Sequence, residues 1–412
     1  MPSISKKLTI STLTDVEFCS GIRVLADLGY VFFAWYHDVD YDSDEYGCTS
    51  LPNIFHRWLM KLDDLRAGKD THINLGEECS NFVVLATAYV PQRKELWLGG
   101  YRYTGPDNGH PRLEIWDVSS PVSPVLKKAL ELSTSGDHPR VIPYVSTKHN
   151  VVILGILLDN TPQGRVCSID EVFGANSLDE LPSATPAPLW VYPLDEDSVT
   201  MAHDGARYKC TLPGYECTEI SVSDIACACM VDVGDYYALM YSGDTNVMVD
   251  FYDKNLNLVK TIDTGISKAS CSEYPIGKNK LLIISGTSWA IVDINGVVAS
   301  GSLSLPCLQG SITPDGTIIC SHKGTGEGSI YELVPDTHYK IVKDENGVKI
   351  VDKNGNPVAN ADVLVGEIKS SCQSWRSHAL IFNAKHITRK TNSNGYIDLT
   401  DLYGKAIEII AG

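Results

Sequence analysis

The chain has 412 residues, and its 34 Lys and Arg against 51 Asp and Glu give a formal net charge of −17. This length exceeds one ordinary domain. The acidic balance argues against nucleic acid or an anionic membrane as the main partner, because both require a basic surface. No apolar run of signal-peptide length opens the chain, and none elsewhere approaches about 18 residues, so the sequence predicts neither export nor membrane insertion. The 12 cysteines are therefore expected to be reduced, buried thiols. Disulfide pairing stays open if the protein leaves the cell by another route, such as the release of virions by lysis.

Short apolar stretches separated by Gly, Asp, Asn and Pro dominate the first 335 residues. They are rich in β-branched and aromatic residues, a pattern that favours an all-β fold. The best helical candidate is residues 56–66, but Trp58-Leu-Met-Lys-Leu-Asp63 within it fits a strand equally well. Val151-Val-Ile-Leu-Gly-Ile-Leu-Leu158 is the most apolar run and is predicted to be a buried strand.

A four-strand unit repeats loosely along this region. Its clearest copy comprises Asn81-Phe-Val-Val-Leu-Ala-Thr87, Glu95-Leu-Trp-Leu-Gly-Gly-Tyr101, Arg112-Leu-Glu-Ile-Trp-Asp117 and Val125-Leu-Lys-Lys-Ala-Leu130. Further copies fall in residues 21–75, 140–210, 236–262, 280–301 and 316–333, which makes six units. Such sheets bury their faces by stacking radially, so the pattern predicts a six-bladed β-propeller. Seven blades stay open as an alternative, because residues 207–229 are hard to assign.

The last unit is one strand short, and Lys6-Lys-Leu-Thr-Ile-Ser-Thr12 has the composition to supply it and close the ring. Leu113-Glu-Ile-Trp-Asp-Val-Ser-Ser-Pro121-Val-Ser-Pro124 resembles the blade ending of propellers whose repeats follow an apolar strand with Asp-Val-Ser and Pro. Asp and Ser bond nearby backbone in such turns, and Pro stops strand pairing. In other units only the closing Asp remains, at Asp253 and Asp293. The resemblance implies a fold and no activity.

A second domain is predicted over residues 338–412, after a first domain of residues 1–335. Its Asn-Gly pairs favour tight hairpin turns, and Val351-Asp-Lys-Asn-Gly-Asn-Pro-Val-Ala-Asn-Ala-Asp-Val363 and Thr391-Asn-Ser-Asn-Gly-Tyr-Ile-Asp-Leu399 resemble carboxypeptidase-regulatory-like and bacterial Ig-like domains. The resemblance implies a small Ig-like β-sandwich that acts as a spacer or adhesive module. Ser370-Ser-Cys-Gln-Ser-Trp-Arg376 departs from the family pattern as a polar insertion.

Two clusters could ligate metal. Asp38, Asp40, Asp42, Asp44 and Glu45 alternate as in a calcium loop, but Ser43 and Thr49 stand where an EF-hand needs Gly and Glu, so a solvated acidic loop is the preferred interpretation. Cys227 and Cys229 share a strand face near Cys210 and Cys217. Their spacing is not that of a zinc ribbon, and packed core thiols are the preferred interpretation.

No catalytic motif is found, so the sequence predicts no enzyme, no cofactor and no catalytic residue. The histidines, such as His110, His138, His149, His203 and His322, are scattered, and Gly324-Thr-Gly-Glu-Gly328 lies between strands as a hairpin. Tyr101, Arg102, Tyr103 and His110 flank the 105–109 loop, where they could form a ligand-facing patch or simply pack.

Three functions are carried forward. The first is a structural or binding component of a phage virion, made in the host cytoplasm, contacting other virion proteins or a host-surface glycan or protein, and present in symmetric copies. It rests on the absence of signal and catalytic motifs, the degenerate blades and the Ig-like resemblance, which is fold-level analogy. The second is a calcium-dependent propeller hydrolase with metal in the central channel. The third is a cellular glycan- or protein-binding module.

Overall fold

A computed structural model describes the chain as an all-β protein. The described residues are 3–10, 18–25, 27–38, 53–69, 71–76, 81–105, 108–137, 139–203, 206–221, 230–268, 271–307, 309–312, 317–321, 328–334, 340–352, 354–367, 371–374, 381–382, 387–402 and 407–411.

Successive antiparallel sheets form the blades of a propeller. The described chain begins with β1 (Ser3–Ile10). Blade 1 contains β2 (Phe18–Leu25), β3 (Tyr30–Asp38), β4 (Asn53–Lys61), the helix α1 (Leu62–Arg66) and β5 (Ile73–Asn74). Blade 2 contains β6 (Phe82–Val90), β7 (Glu95–Gly105), β8 (Asn108–Asp117) and β9 (Val125–Glu131), with β10 (Gly136–Asp137) added to β8. Blade 3 contains β11 (Arg140–Ser146), β12 (Val151–Leu158), β13 (Thr161–Pro162) and β14 (Arg165–Ser168), followed by α2 (Ile169–Gly174).

The remaining blades follow in the same order. Blade 4 contains β15 (Trp190–Pro193), β16 (Ser198–His203), β17 (Ala206–Thr211) and β18 (Glu216–Glu219). Blade 5 contains β19 (Met230–Asp232), β20 (Tyr237–Ser242), β21 (Asn246–Tyr252) and β22 (Leu258–Ser267). Blade 6 contains β23 (Cys271–Gly277), β24 (Lys280–Asp293) and β25 (Gly296–Cys307). Blade 7 contains β26 (Gln309–Ile312), β27 (Thr317–Ser321), β28 (Gly328–Val334) and, as its outer strand, β1.

The ring is closed by the first strand of the chain. β1 pairs antiparallel with β28, in a register that runs from Ser3 opposite Val334 to Ile10 opposite Gly328. β28 pairs in turn with β27, and β27 with β26. The inner strand β26 then contacts β2 of blade 1, so the last blade is built from both ends of the propeller.

A separate apolar cluster fills each junction between neighbouring blades. Between blades 7 and 1, for example, Ile319 and Ile330 pack with Ile22, Phe33 and Trp58, all buried. Equivalent clusters join blades 1 and 2, 2 and 3, 3 and 4, 4 and 5, 5 and 6, and 6 and 7. Because every sheet is covered on both faces, the central strands contain long apolar runs, and all eight residues of β12 are buried, as predicted for Val151–Leu158.

Seven sheets thus make the propeller among the described residues, one more than the six repeat units of the sequence. The predicted all-β propeller is confirmed, and the count of seven sheets corresponds to the alternative that the sequence left open. The unit at residues 140–210 contains two sheets, because β14 and α2 end blade 3 early and β15 starts blade 4. Residues 207–219, part of the stretch that is hard to assign from the sequence, span β17, β18 and the turn between them in blade 4.

Close contacts between strands depend on a pair of glycines in β7. A Cβ atom on Gly100 would lie 1.8 Å from the carbonyl oxygen of Val83 in β6, and one on Gly99 would lie 2.2 Å from the carbonyl oxygen of Val141 in blade 3. Neither space admits a side chain. The Gly-Gly pair of the clearest repeat copy therefore allows blade 3 to approach blade 2 closely.

The residues after 340 form two further sheets. They are β29 (Lys340–Asp344) paired with β30 (Gly347–Val351), and β31 (Asp362–Glu367) paired with both β34 (Ile387–Lys390) and β35 (Ile407–Ala411). Along the chain, β31 is followed by β32 (Ser371–Ser374) and β33 (Ile381–Phe382), and β34 comes after them. Ile350, Val363, Val365, Ile397 and Ile409 pack as a core of their own. We call this part the C-terminal unit; its Ig-like character and its boundary stay predictions.

Helices are short in the described part of the chain. The sequence fitted either a helix or a strand over residues 56–66, and the structure contains both. β4 continues to Lys61, and α1 then occupies Leu62–Arg66. α2 begins with a capping box, in which Ser168 accepts from the Glu171 amide and Glu171 accepts from the Ser168 amide. None of the described helices has the length and apolar character needed to span a membrane.

Two disulfides replace the expected reduced thiols. Cys210 and Cys217 are bonded across β17 and β18, and Cys307 and Cys320 are bonded between blades 6 and 7. The expectation was wrong for these four residues. The pairing of β17 with β18 places Cys210 opposite Cys217, and the packing of blade 6 against blade 7 brings Cys307 to Cys320. Cys167 is a buried thiol, and burial raises its pKa to about 12, which makes it unreactive.

We expect loss of the Cys307–Cys320 disulfide to lower the free energy of unfolding by about 3 kcal/mol, because the bond closes a loop in the unfolded chain. Urea denaturation of the Cys307→Ala/Cys320→Ala variant tests this. The matched control is Cys210→Ala/Cys217→Ala, whose loop is shorter and lies within one blade, so its loss should be smaller. Equal stability of the first variant and the parent protein would contradict the expectation.

Candidate binding site in the central channel

A hairpin of the C-terminal unit enters the propeller. β32 pairs antiparallel with β6, the inner strand of blade 2, with Ser371 opposite Tyr89 and Ser374 opposite Ala86. β33 pairs back on β32. β32 also contacts the inner strands β2 and β11, and β33 contacts β15. Because these are the inner strands of four consecutive blades, the hairpin lies in the central channel; we call β32 and β33 the channel hairpin.

The strand that receives the hairpin is fixed to its neighbour by a buried arginine. Arg23, on the inner strand of blade 1, donates from Nε to Thr87 Oγ1 at 3.1 Å and from Nη2 to the Thr87 carbonyl oxygen at 2.9 Å. Both residues are buried, and Thr87 is the residue opposite Gln373 in the hairpin register. The channel edge of β6 is therefore held in position at the depth where β32 pairs.

Two buried glutamates on blade 2 form similar charge networks. Glu114 accepts from Arg57 of blade 1, from Arg112, and from the Trp116 indole at 2.9 Å. Glu95 accepts from Arg93 at 2.7 Å, Lys127 at 2.6 Å and the Trp97 indole at 3.3 Å. In each case the tryptophan lies two residues after the glutamate, so it shares the same face of the strand. These carboxylates are saturated by donors, and the networks join strands and blades.

Glu131 lies at the outer end of the first network. It accepts from Arg102 Nε at 3.0 Å and pairs with Arg112. Burial opposes its ionisation, but these two guanidinium groups outweigh burial and hold the pKa of Glu131 below its ordinary value. For Arg112, burial likewise opposes the charge, and the carboxylates of Glu114 and Glu131 raise its pKa.

The sequence-predicted patch around the 105–109 loop is built into blade 2. Arg102 is engaged with Glu131, and His110 Nδ1 donates to the Leu132 carbonyl oxygen at 3.1 Å. The ring of Tyr103 is buried and packs against Phe55 with ring centroids 5.9 Å apart. The packing alternative therefore describes Tyr103.

The other predicted sites fall partly outside the described residues. Asp40, Asp42, Asp44 and Glu45 lie there, after Asp38 at the end of β3, and so do Cys227, Cys229 and most of the 324–328 loop. Cys210 and Cys217 are joined to each other. Within the described ranges, no three His, Cys, Asp or Glu side chains are placed to share a metal ion.

His149, one of the scattered histidines, contacts a carboxylate. Its Nε2 lies 2.7 Å from Asp197 Oδ1, and Lys148 Nζ lies 2.6 Å from the same oxygen. The Lys148 ammonium holds the pKa of Asp197 below its ordinary value, with a smaller contribution from His149. This exposed cluster joins a turn of blade 3 to a turn of blade 4.

Exposed apolar side chains mark the outer strands of three blades. In blade 2 they are Val125 and Leu126 on β9, which are 58% and 41% exposed, and Val122 in the turn before β9, which is 67% exposed. Leu258 and Val259 on β22 and Val297 and Val298 on β25 are between 43% and 56% exposed. β22 and β25 contact each other, so we call these last four residues the blade 5–6 rim patch.

No family model and no curated protein matches the sequence. Among solved structures, a chain in the crystal structure of BBS1N in complex with ARL6DN matches with a TM-score of 0.51 and 11% identity, covering 80% of this chain and 97% of that one. A chain in the mitotic checkpoint complex matches with a TM-score of 0.50 and 10% identity, covering 81% and 93%.

An enzyme has the same degree of similarity. Catalytically inactive virginiamycin B lyase from Staphylococcus aureus, with quinupristin, matches with a TM-score of 0.50 and 12% identity, covering 81% of this chain and 100% of that one. At these identities the likeness shows the fold alone. Propeller neighbours therefore include both components of protein complexes and enzymes.

Sequence reasoning missed the channel hairpin, although it singled out residues 370–376 as a polar departure from the family pattern. The available signal was an insertion between two strands of a small unit. Nothing in its composition pointed to blade 2 as the partner, because strand addition uses backbone groups that every residue carries.

We expect Glu114→Ala to lower the free energy of unfolding by about 3–5 kcal/mol, because it removes the carboxylate that compensates the buried Arg57 charge. Glu131→Ala is the matched control at the more exposed, part-buried end of the same network and should cost about 1 kcal/mol. Urea denaturation of both variants measures the difference, and equal losses would show that burial of the pair does not matter.

The lowered pKa of Glu131 predicts a pH dependence of its stabilising contribution. The contribution is fully present above the ordinary value of 4.5 and is lost as the pH falls through the lower folded value. The difference in unfolding free energy between the parent protein and Glu131→Gln should therefore shrink below pH 4.5. Denaturation at a series of pH values measures it, and a difference that grows on acidification would contradict the sign.

Proposed function

We propose that this protein is a non-enzymatic scaffold that binds partner proteins through the rim of its propeller. The observation that carries the proposal is the channel hairpin. The hydrolase alternative requires side chains that project into an accessible central channel, and here the chain's own β32 pairs inside that channel along β6. A channel partly occupied by the chain's own polypeptide favours function on the outer surfaces.

The blade 5–6 rim patch supports the proposal. Its four aliphatic side chains are each more than two-fifths exposed on adjacent outer strands. Grouped exposed apolar residues on a folded surface indicate a protein contact. Outer strands also have an unpaired edge, and a partner that covers the patch would cover the edges of β22 and β25 as well.

The neighbours BBS1N with ARL6DN and the mitotic checkpoint complex agree with a binding role, since both are named as complexes. Their likeness reaches only the fold, so it supports protein partners in general and identifies none. The lyase neighbour shows that the fold also admits catalysis. The channel hairpin, rather than the neighbours, is therefore what favours the binding role.

The finer form of the proposal is that the partners are other virion proteins or a host-surface molecule, and that the chain assembles in symmetric copies. Its support comes from the sequence, namely the missing signal and catalytic motifs and the Ig-like resemblance of the C-terminal unit. Density-gradient sedimentation of the native source lysate, with mass spectrometry of this chain, tests it. Migration with megadalton particles supports the virion form, a discrete smaller complex supports a scaffold without a virion, and migration as a monomer contradicts both.

We expect Val259→Asp/Val298→Asp to weaken association with the native partner at least tenfold, because two desolvated carboxylates would replace apolar contacts. Val125→Asp on the rim of blade 2 is the matched control, with similar exposure in the parent chain. Sedimentation of tagged variants expressed in the native source measures the bound fraction, and circular dichroism checks folding. An equal bound fraction for the two variants would show that the partner contacts a different surface.

A further inference from the structure

The inner edge of β6 differs from the inner edges of the other blades. β6 has nine residues, and β7 pairs along its outer side with a register shift between Val84 and Ala86. β32 pairs along its inner side with residues 86–89 alone, directly after this irregularity. In the part of the chain that the structure describes, β6 is the only inner strand with a partner on its channel side.

This edge is prepared to accept a strand. Arg23 binds both the side chain and the carbonyl oxygen of Thr87, in the middle of the paired stretch. β6 is also held by the apolar clusters on both faces of blade 2, to which Val84 and Ala88 contribute. An edge that is already ordered loses little conformational entropy when a strand adds to it, which favours binding.

The channel hairpin contributes little stability of its own. It consists of four residues paired with two, and an isolated two-stranded hairpin is at best marginally stable in water. Its strands leave the sheet of the C-terminal unit after β31 and return to it at β34. The pairing with β6 therefore orders the hairpin, and it can open without disturbing the core of either part.

We propose that the inner edge of β6 is a strand-acceptor site for an extended polypeptide, and that residues 371–374 are its built-in ligand. Recognition runs through main-chain hydrogen bonds along residues 86–89, as in other cases of strand addition. Extended polypeptide in the β32 register competes for the same edge. The site is distinct from the blade 5–6 rim patch and does not depend on the proposed rim contact.

The test uses the full chain with residues 371–382 replaced by a short Gly-Ser linker. The probe is a fluorescent peptide of residues 368–386 with Cys372→Ser, which prevents thiol cross-linking. Fluorescence anisotropy should show at least tenfold tighter binding to the replacement variant than to the parent chain, whose site is filled. Hydrogen exchange should show that the channel-facing amides of residues 86–89 lose protection in the variant and regain it with the peptide.

Two controls separate strand addition from adhesion. A peptide with Cys372→Pro and Gln373→Pro lacks two backbone donors and cannot pair, so it should not bind. A scrambled peptide of the same composition tests whether register matters. Absence of binding to the replacement variant, equal binding to the parent chain, or equal binding of the proline peptide would each overturn the proposal.

A second variant keeps the test decisive if the linker replacement does not fold. Cys372→Pro/Gln373→Pro in the full chain retains every other residue and should free the same edge, so it should bind the peptide as the replacement variant does. Failure of this variant to bind, with its circular dichroism unchanged, also overturns the proposal. The rim variants and the gradient experiment do not involve β6, so their outcomes are independent of this one.

Discussion

The pairing of β1 with β28 is the constraint on which the rest of the structure depends. Each sheet presents two apolar faces, and only a closed ring covers all of them. The cluster between blades 7 and 1 exists because blade 7, completed by β1, is packed against blade 1. An open array would leave two faces in water, whereas the observed ring has a buried cluster at every junction between blades.

Closure of the ring also creates the central channel, which is lined by the inner strands of the blades. Inner strands present backbone edges to the channel, and such edges attract further strands. At blade 2 the edge is held by Arg23 and is taken by the channel hairpin. The same contact links the C-terminal unit to the ring, together with the contact of β35 with β23. The channel thus joins the two parts of the chain.

Two of the buried carboxylates among the described residues, Glu95 and Glu114, lie in blade 2. Glu95 and Glu114 occupy neighbouring strands, each with two cationic partners and an indole donor. A buried carboxylate without such partners would cost several kcal/mol. Since Arg57 comes from blade 1, the network also fixes the junction at which β6 lies. β6, the strand that accepts the hairpin, is therefore held by the buried Arg23 guanidinium and by the apolar clusters on both faces of blade 2.

The sequence by itself determined the all-β class, the blade strands and several turns, because side-chain alternation and Gly, Asn and Asp turns are local properties. Val151–Leu158 and the copy at residues 81–130 are examples, and the N-terminal segment was the candidate for the missing strand. Tertiary structure decided the number of sheets, since residues 140–210 divide where α2 replaces an outer strand. It also decided both described disulfides and the channel hairpin. The hairpin joins β32 to β6 through backbone hydrogen bonds, which leave no pattern in the side chains. The disulfides depend on which strands pair and which blades pack together.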